Sequence, residues 1–309
     1  MDNTEIYDFV VIGGGLFGSY AALHCAKLGH RVCLIEREDA LFKKASVVNQ
    51  ARLHAGYHYP RSVATARMSD DNKARFTAEH KAMVFSDFEK YYAIDKHSSF
   101  TDNRQFQRFC EFLDIQCEPV NNHPLFNYDR LEAVYKTIEH TFDPFLIKNS
   151  YKKKLEEENK ITLKLSTEIT RVERGASENW ILNVSQGDKS SKINCSAAIN
   201  ATYAGTNSIL DLFGFEEWNL QHEISEIGLI EAPEIAHLGL TVMDGPFGSI
   251  MPYGKSGLLS ISSVAYTHHK ISYANKPEFD CMQKTIGCAP SQLADCNSCP
   301  AQPASNIKK

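Results

Sequence analysis

The first 36 residues hold a strand, a glycine-rich turn, a helix, a second strand and an acid, in that order. Asp8-Phe9-Val10-Val11-Ile12 is a short apolar strand that runs into Gly13-Gly14-Gly15-Leu16-Phe17-Gly18, a G-x-G-x-x-G match at Gly13, Gly15 and Gly18. A helical stretch over 19–28 stops at Gly29, and Arg31-Val32-Cys33-Leu34-Ile35 is a second strand ending on Glu36. Gly13 permits the tight turn, Gly15 lets a pyrophosphate approach the backbone, and Gly18 allows close packing of helix on strand. The helix N-terminus offers free N–H groups to phosphates. Glu36 lies 18 residues after Gly18, close to where an acid accepts hydrogen bonds from ribose hydroxyls. A glycine-rich turn without a ligand leaves that acid unexplained. The unit predicts a dinucleotide site.

A chain of 309 residues accommodates one large domain or two intertwined ones. An apolar fraction of 43% and a charged fraction of 23% are ordinary for a globular enzyme. A net charge of −5 gives no electrostatic case for nucleic acid or an anionic membrane as partner. No apolar stretch approaches the roughly 18 residues needed to span a bilayer. The first strand begins within ten residues of Met1, which leaves no room for a leader ahead of it. The expectation is a soluble, cytoplasmic protein. Of nine cysteines, Cys25 and Cys33 read as buried apolar thiols, while Cys281, Cys288, Cys296 and Cys299 crowd the last 29 residues. Cys296-Asn-Ser-Cys299 is half a zinc site, but six residues separate its would-be partners instead of two to four. Unpaired thiols in a loosely ordered tail are expected, with no metal.

After Glu36 comes a 24-residue polar connection, 37–60, with little helical periodicity. A loop of that length within a compact domain is usually functional. Helices are expected over 61–84, 104–113, 128–140 and 148–159, and a strand at 91–94. Lys152-Lys153-Lys154-Leu155-Glu156-Glu157-Glu158 pairs opposite charges at i,i+4, which describes a solvated helix surface. Residues 162–172 and 180–184 read as an antiparallel pair around a turn at Gly175. A strand over 195–201 leads into Thr202-Tyr203-Ala204-Gly205, and 224–231 and 238–243 read as strands. A hairpin follows, with arms at 249–253 and 258–266 around Gly254-Lys255-Ser256-Gly257. That turn nearly imitates a phosphate-binding loop, but Gly248 stands one residue too early and strands flank it, which excludes a nucleoside triphosphate site. No internal repeat or low-complexity linker is visible, so two lobes interleave along the chain.

Several of these segments together resemble the flavoprotein oxidoreductases related to D-amino acid oxidase, glycine oxidase and glycerol-3-phosphate dehydrogenase. The resemblance rests on the N-terminal fingerprint, on the loop His54-Ala55-Gly56-Tyr57-His58-Tyr59-Pro60, on the strand pair around Ile169, and on Asn200-Ala201-Thr202-Tyr203-Ala204-Gly205. The loop is most similar to that of L-2-hydroxyglutarate dehydrogenases. The resemblance implies an α/β fold, with a Rossmann-like FAD-binding domain interleaved with a mixed-sheet α+β substrate domain. It divides the chain into 1–85 plus 150–212 for FAD, 86–149 plus 213–280 for substrate, and a Cys-rich tail at 281–309. FAD is the implied cofactor, with the loop after the second strand beside the isoalloxazine. The implied contacts are Gly13, Gly15, Phe17, Gly18, Glu36, Arg37, Asn49, Gln50, Ile169, Ala204 and Gly205. One departure stands out: the late glycine-rich segment that closes over the flavin in such proteins has no counterpart after Tyr273. Either a truncated or variant product or a less completely held flavin is therefore expected.

An enzyme of this kind moves a hydride from a C–H bearing an amino or hydroxyl group to the flavin, while the protein orients substrate and accepts the heteroatom's proton. His54 is the first candidate for that proton, because imidazole titrates near neutrality. Some relatives link FAD covalently to a histidine in this loop, which makes His54 a candidate for that role too. His54 and His58 have the spacing of a helical zinc pair, but Gly56 and Pro60 argue against a helix. Arg52 and Arg61 are candidates for a substrate carboxylate or for structural contacts. Tyr253 and Tyr266 stand at hairpin ends, where a phenol meets either ligand or core. Of His268-His269 at most one side chain points inward, and no metal is assigned to the pair. The expected function is an FAD-dependent dehydrogenase or oxidase of a small 2-hydroxy or amino compound, passing electrons to an acceptor the sequence does not identify. A catalytically inactive flavoprotein-fold paralogue with a binding or regulatory role is the alternative. An enzyme modifying tRNA or a glycan-linked substrate is a third reading, which the acidic balance disfavours for tRNA.

Overall fold

The computed structural model describes residues 4–175, 178–245 and 248–308. The chain separates into two compact units, Met1–Val47 with Lys148–Ile224 and Lys270–Ala304, and Val48–Ile147 with Ser225–His269 and Ser305–Lys309.

The first unit is built on a six-stranded sheet in the order Glu168–Arg174, Trp180–Gln186, Lys189–Asn200, Thr4–Ile12, Val32–Ile35, Ile161–Lys164. The last four strands run parallel to one another, and the first two add an antiparallel edge. Val10, Val11, Val32, Cys33 and Leu34 are completely buried, as expected for strands covered on both faces. Register matters most here. Ile12 pairs with both Ile35 and Asn200, so Gly13, Glu36 and Ala201 are the next residues on three neighbouring parallel strands, all at their carboxyl ends. Ligands bind at that edge of such sheets. The helix Leu16–Lys27 follows the glycine turn and buries Gly18, Ser19, Ala22, Cys25 and Ala26. It stops before Gly29, whose φ of 102° suits glycine. The strand expected over 162–172 is instead two, Ile161–Lys164 and Glu168–Arg174. Ser166 between them turns left-handed, with φ of 49°, and its N–H reaches the Glu38 carbonyl.

In the second unit a seven-stranded sheet runs Gly228–Ile230, Leu259–Ser263, Gly248–Pro252, Leu238–Met243, Glu89–Asp95, Leu131–Thr137, Cys117–Pro119. Only Leu238–Met243 and Glu89–Asp95 pair in parallel. The segment 128–140, expected as a helix, is a strand here, followed by a second short strand, His140–Phe142. Its apolar residues do fall at helical spacing, but they also alternate. Ala133 and Tyr135 pack with Tyr92, Ile94 and Phe106 on one face, and Val134 packs with Tyr91 and Ala93 on the other. Pairing with a buried neighbour overrode local propensity. The helix Asn103–Leu113 covers the first of these faces through Phe106, Phe109 and Cys110 and begins with a capping box between Asp102 and Gln105. The helix expected over 61–84 is shorter, Val63–Glu79, and the hairpin arm expected to reach Tyr266 ends at Ser263, with a helical turn at Val264–Thr267.

The long connection contains one short strand, Arg52–Leu53, which pairs antiparallel with His140–Phe142; Val84–Phe85 pairs with that strand's other side. These pairings place 48–85 in the second unit, whereas the sequence division put them with the nucleotide lobe. Residues 270–304 group with the first unit, so the tail is not a separate piece. Farther on, the Asn306 N–H donates to Glu226 Oε1 at 2.6 Å. Among the described residues no helix is long and apolar enough to cross a membrane, and no group of three or more His, Cys, Asp or Glu is placed to hold a metal ion.

Candidate cofactor cradle and histidine site

In the first unit the glycine turn is held by its neighbours. The Gly13 N–H donates to the Ile35 carbonyl at 2.9 Å, and the Gly14 N–H to Glu36 Oε2 at 2.6 Å. The other carboxylate oxygen of Glu36 accepts from the Glu38 N–H at 2.8 Å. The acid is thus anchored against the turn. Gly13 has φ of 105°, and a Cβ there would lie 2.6 Å from the Ala201 carbonyl oxygen. At Gly18 a Cβ would lie 1.8 Å from the Gly13 carbonyl oxygen, so the helix rests on the turn with no room for a side chain. At Gly15 the nearest atom is Ser46 Oγ, 2.9 Å from where a Cβ would stand, and that hydroxyl accepts the Leu16 N–H at 2.9 Å. A bare backbone at a helix N-terminus, beside an anchored acid at the carboxyl end of a parallel sheet, fits the pyrophosphate and ribose of a dinucleotide.

The remaining expected contacts in this unit vary in placement. The Asn200–Gly205 segment does reach the turn, through Ala201, and Asn200 Oδ1 accepts from the Thr202 N–H at 3.2 Å. Ala204 and Gly205 form a single 3-10 turn with Tyr203. Phe17 is largely exposed. The Arg37 guanidinium and the Lys44 ammonium both donate to the Leu293 carbonyl, at 2.6 and 2.8 Å. Ile169 is buried in the core with Val10, Ile12 and Leu182. The spacing of the fingerprint signals the first group; nothing in the sequence links Leu293 to Arg37.

The second unit contains a buried ionic cluster centred on Glu139, which the sequence reading passed over. Arg52 pairs with Thr141 and Leu53 with His140, so the same antiparallel register carries His54 opposite Glu139. Glu139 Oε1 lies 3.4 Å from His54 Nδ1, and Glu139 Oε2 lies 3.6 Å from Arg52 Nε and 3.9 Å from Lys90 Nζ. The Tyr92 hydroxyl donates to Oε2 at 2.9 Å. Burial pushes the Glu139 carboxyl up, but Arg52, His54 and Lys90 outweigh it and hold the group below the usual carboxylate range. Burial and Arg52 push the Lys90 ammonium well down, although Glu139 opposes them. Arg52 Nη2 donates to Thr241 Oγ1 at 3.0 Å and to Ser249 Oγ, so this guanidinium is committed to the protein.

His58 Nδ1 lies 3.4 Å from Arg52 Nη1. Arginine only donates, so that nitrogen carries no proton. The residue as a whole is exposed, but loss of solvent around its ring, with Arg52 beside it, lowers the His58 pKa to about 4. The imidazole of His54 stands 5.3 Å from that of His58 and 5.5 Å from the Tyr59 ring, centroid to centroid. Its side chain is 28% exposed, although its Nδ1 is buried. Among the titratable groups of this cluster, His54 combines a buried anionic partner with an accessible edge.

Other candidates sit elsewhere. Asn49 Oδ1 accepts from the Ala51 N–H at 2.6 Å, shaping the turn before Arg52, and Gln50 Nε2 donates to Ser262 Oγ at 3.0 Å. Arg61 forms a two-pronged pair with Asp244, at 2.7 and 3.2 Å. Tyr253 is buried with its ring 6.2 Å from that of Phe145, and burial pushes its phenol up to about 12. Tyr266 is exposed, and His269 faces Glu226 at 3.4 Å.

A family profile described as DAO, FAD dependent oxidoreductase, matches residues 8–259. The FAD-dependent monooxygenase FPY4 of Fusarium mangiferae is 25% identical over 260 residues, covering 83% of this chain and 64% of that protein. The chain thus spans a little under two thirds of that relative's length. Glycine oxidase from Geobacillus kaustophilus superposes with a TM-score of 0.67 at 15% identity, over 84% of this chain and 71% of its own. NikD, an amino acid oxidase of nikkomycin biosynthesis, superposes at 0.64 and 16%, over 84% and 70%. At these identities the structural likeness concerns the fold.

Proposed function

Because the chain belongs to the DAO family of FAD-dependent oxidoreductases, we propose that it oxidises a small 2-hydroxy or amino compound, with His54 accepting the proton from the substrate's hydroxyl or amino group. Bound FAD supplies the acceptor for the hydride of the adjacent C–H bond. The glycine turn and Glu36 would hold its ADP portion, since the turn leaves the backbone bare and the acid faces it. Arg52 and Lys90 lie inside the protein beside Glu139, with Arg52 Nη2 on Thr241, and favour its ionised form. The observation that carries the reading is the imidazole of His54, buried at Nδ1 beside a carboxylate and accessible elsewhere on the ring. General-base catalysis by a positioned imidazole typically contributes about 10²–10⁴-fold.

Purified protein saturated with FAD and mixed anaerobically with a panel of 2-hydroxy and amino acids tests this. Bleaching of the flavin absorption by a member of the panel is the expected result, and His54→Ala should slow it by about 10²–10⁴-fold with FAD still bound. Flavin that binds but is never reduced by any such compound would overturn the substrate class. The fungal relative is named a monooxygenase; a product that has gained an oxygen atom would favour that reading over simple dehydrogenation.

A further inference from the structure

We propose that Glu139 is the positioning residue for His54: it fixes the imidazole with Nδ1 protonated and turned inward, leaving Nε2 free to accept a proton, and it stabilises the imidazolium that results. This rests on the reading of His54 as the base and adds to it a partner from a distant part of the chain.

Pairing of Arg52–Leu53 with His140–Phe142 makes His54 and Glu139 the next facing residues, so the backbone itself carries the two side chains together. His54 Nδ1 and Glu139 Oε1 are both buried polar atoms, 3.4 Å apart, and neither makes a well-aligned hydrogen bond in the protein. Burying either without a partner costs free energy, and a small turn of the imidazole would make each the partner of the other. Glu139 Oε2 is already occupied by the Tyr92 hydroxyl, with Arg52 and Lys90 beyond, so Oε1 is the oxygen left for His54. A carboxylate accepts only, which requires the proton on Nδ1. The other ring nitrogen then carries the free lone pair, on a side chain that is 28% exposed. This is the division of labour by which a buried acid sets the tautomer of a catalytic histidine.

The groups facing His54 from the packed elements are Glu139, Arg52, Lys90, His58 and Tyr59. Removing the one anion among them takes away the group that sets the tautomer. In the unaltered protein, ¹⁵N NMR of the histidine rings should show Nδ1–H on His54 with a bare Nε2, and the opposite tautomer defeats the idea. In Glu139→Leu that preference should be lost, with Nε2–H becoming the major neutral form; an unchanged Nδ1–H form would overturn the proposal. Should the variant fold poorly, the unaltered protein still answers. Neither measurement needs a substrate, so the two readings part company cleanly. A fixed Nδ1–H form with flavin reduction intact in His54→Ala would keep the pair and discard the base, whereas the opposite tautomer with reduction abolished would do the reverse.

Discussion

His58 shows how a single imidazole couples this site to the stability of the molecule. Its folded pKa of about 4 lies below the 6.5 of a free imidazole, because loss of solvent around the ring and the neighbouring Arg52 disfavour the charged form. Between those values the unfolded chain binds a proton that the folded protein does not. Stability therefore falls as pH drops from 6.5 to 4 and levels off for this group below that, by an amount that solvent at this exposed residue keeps small. Glu139, held below its usual value, adds a loss of the same sign at lower pH, as acid reaches a carboxyl that the fold keeps ionised. In His58→Gln, which retains an acceptor for Arg52, urea midpoints measured at pH 6.5 and pH 4.5 should lie closer together than in the parent. Equal pH dependence in the two proteins would reject the assignment.

At the scale of elements, the first helix rests directly on the glycine turn that precedes it. Gly18 on Leu16–Lys27 sits on the Gly13 carbonyl, where a methyl group would stand at 1.8 Å. Gly18→Ala must push the helix off the sheet, since backbone rather than a flexible side chain blocks the space. The expected cost is about 1–3 kcal/mol of overpacking. The N-terminal N–H groups move with the helix, so FAD affinity should fall as well. Calorimetric titration with FAD and urea denaturation report the two effects separately; a variant with parental values for both would mean that the helix and turn are less closely packed than described. Gly56, with φ of 92° in the histidine loop, is the corresponding backbone requirement in the other unit.

For the whole molecule, the cofactor cradle is assembled from 1–47 and the returning strand Lys189–Asn200, so a ligand there ties together remote parts of one unit. FAD at a hundredfold excess over its dissociation constant should stabilise the folded state by about 2.7 kcal/mol. For a chain of this size that raises Tm by roughly 4 °C. Gly15→Val should abolish the shift, because its side chain occupies the approach of the pyrophosphate. Melting curves with and without FAD check both statements, and an added-FAD shift that survives in the variant would place the cofactor elsewhere.

The nucleotide-binding half was legible because its chemistry is local: strand, glycines, helix and acid follow one another within 36 residues, each doing its work through its neighbours in sequence. The loop holding His54 stands out in the sequence as well, by its length and its aromatic and histidine content. Its charged partner was not. Glu139 lies in 128–140, whose apolar spacing satisfies a helix as well as a strand, and only pairing with Glu89–Asp95 and Arg52–Leu53 made it extended. For Arg52 the sequence leaves substrate and structural contacts both open, and only the fold brings Thr241, Ser249 and Glu139 around it. Propensity and periodicity describe a residue's own segment, whereas burial and ion pairing depend on which strands meet. The tertiary structure decided which charges lie in the interior and which edge of His54 remains open.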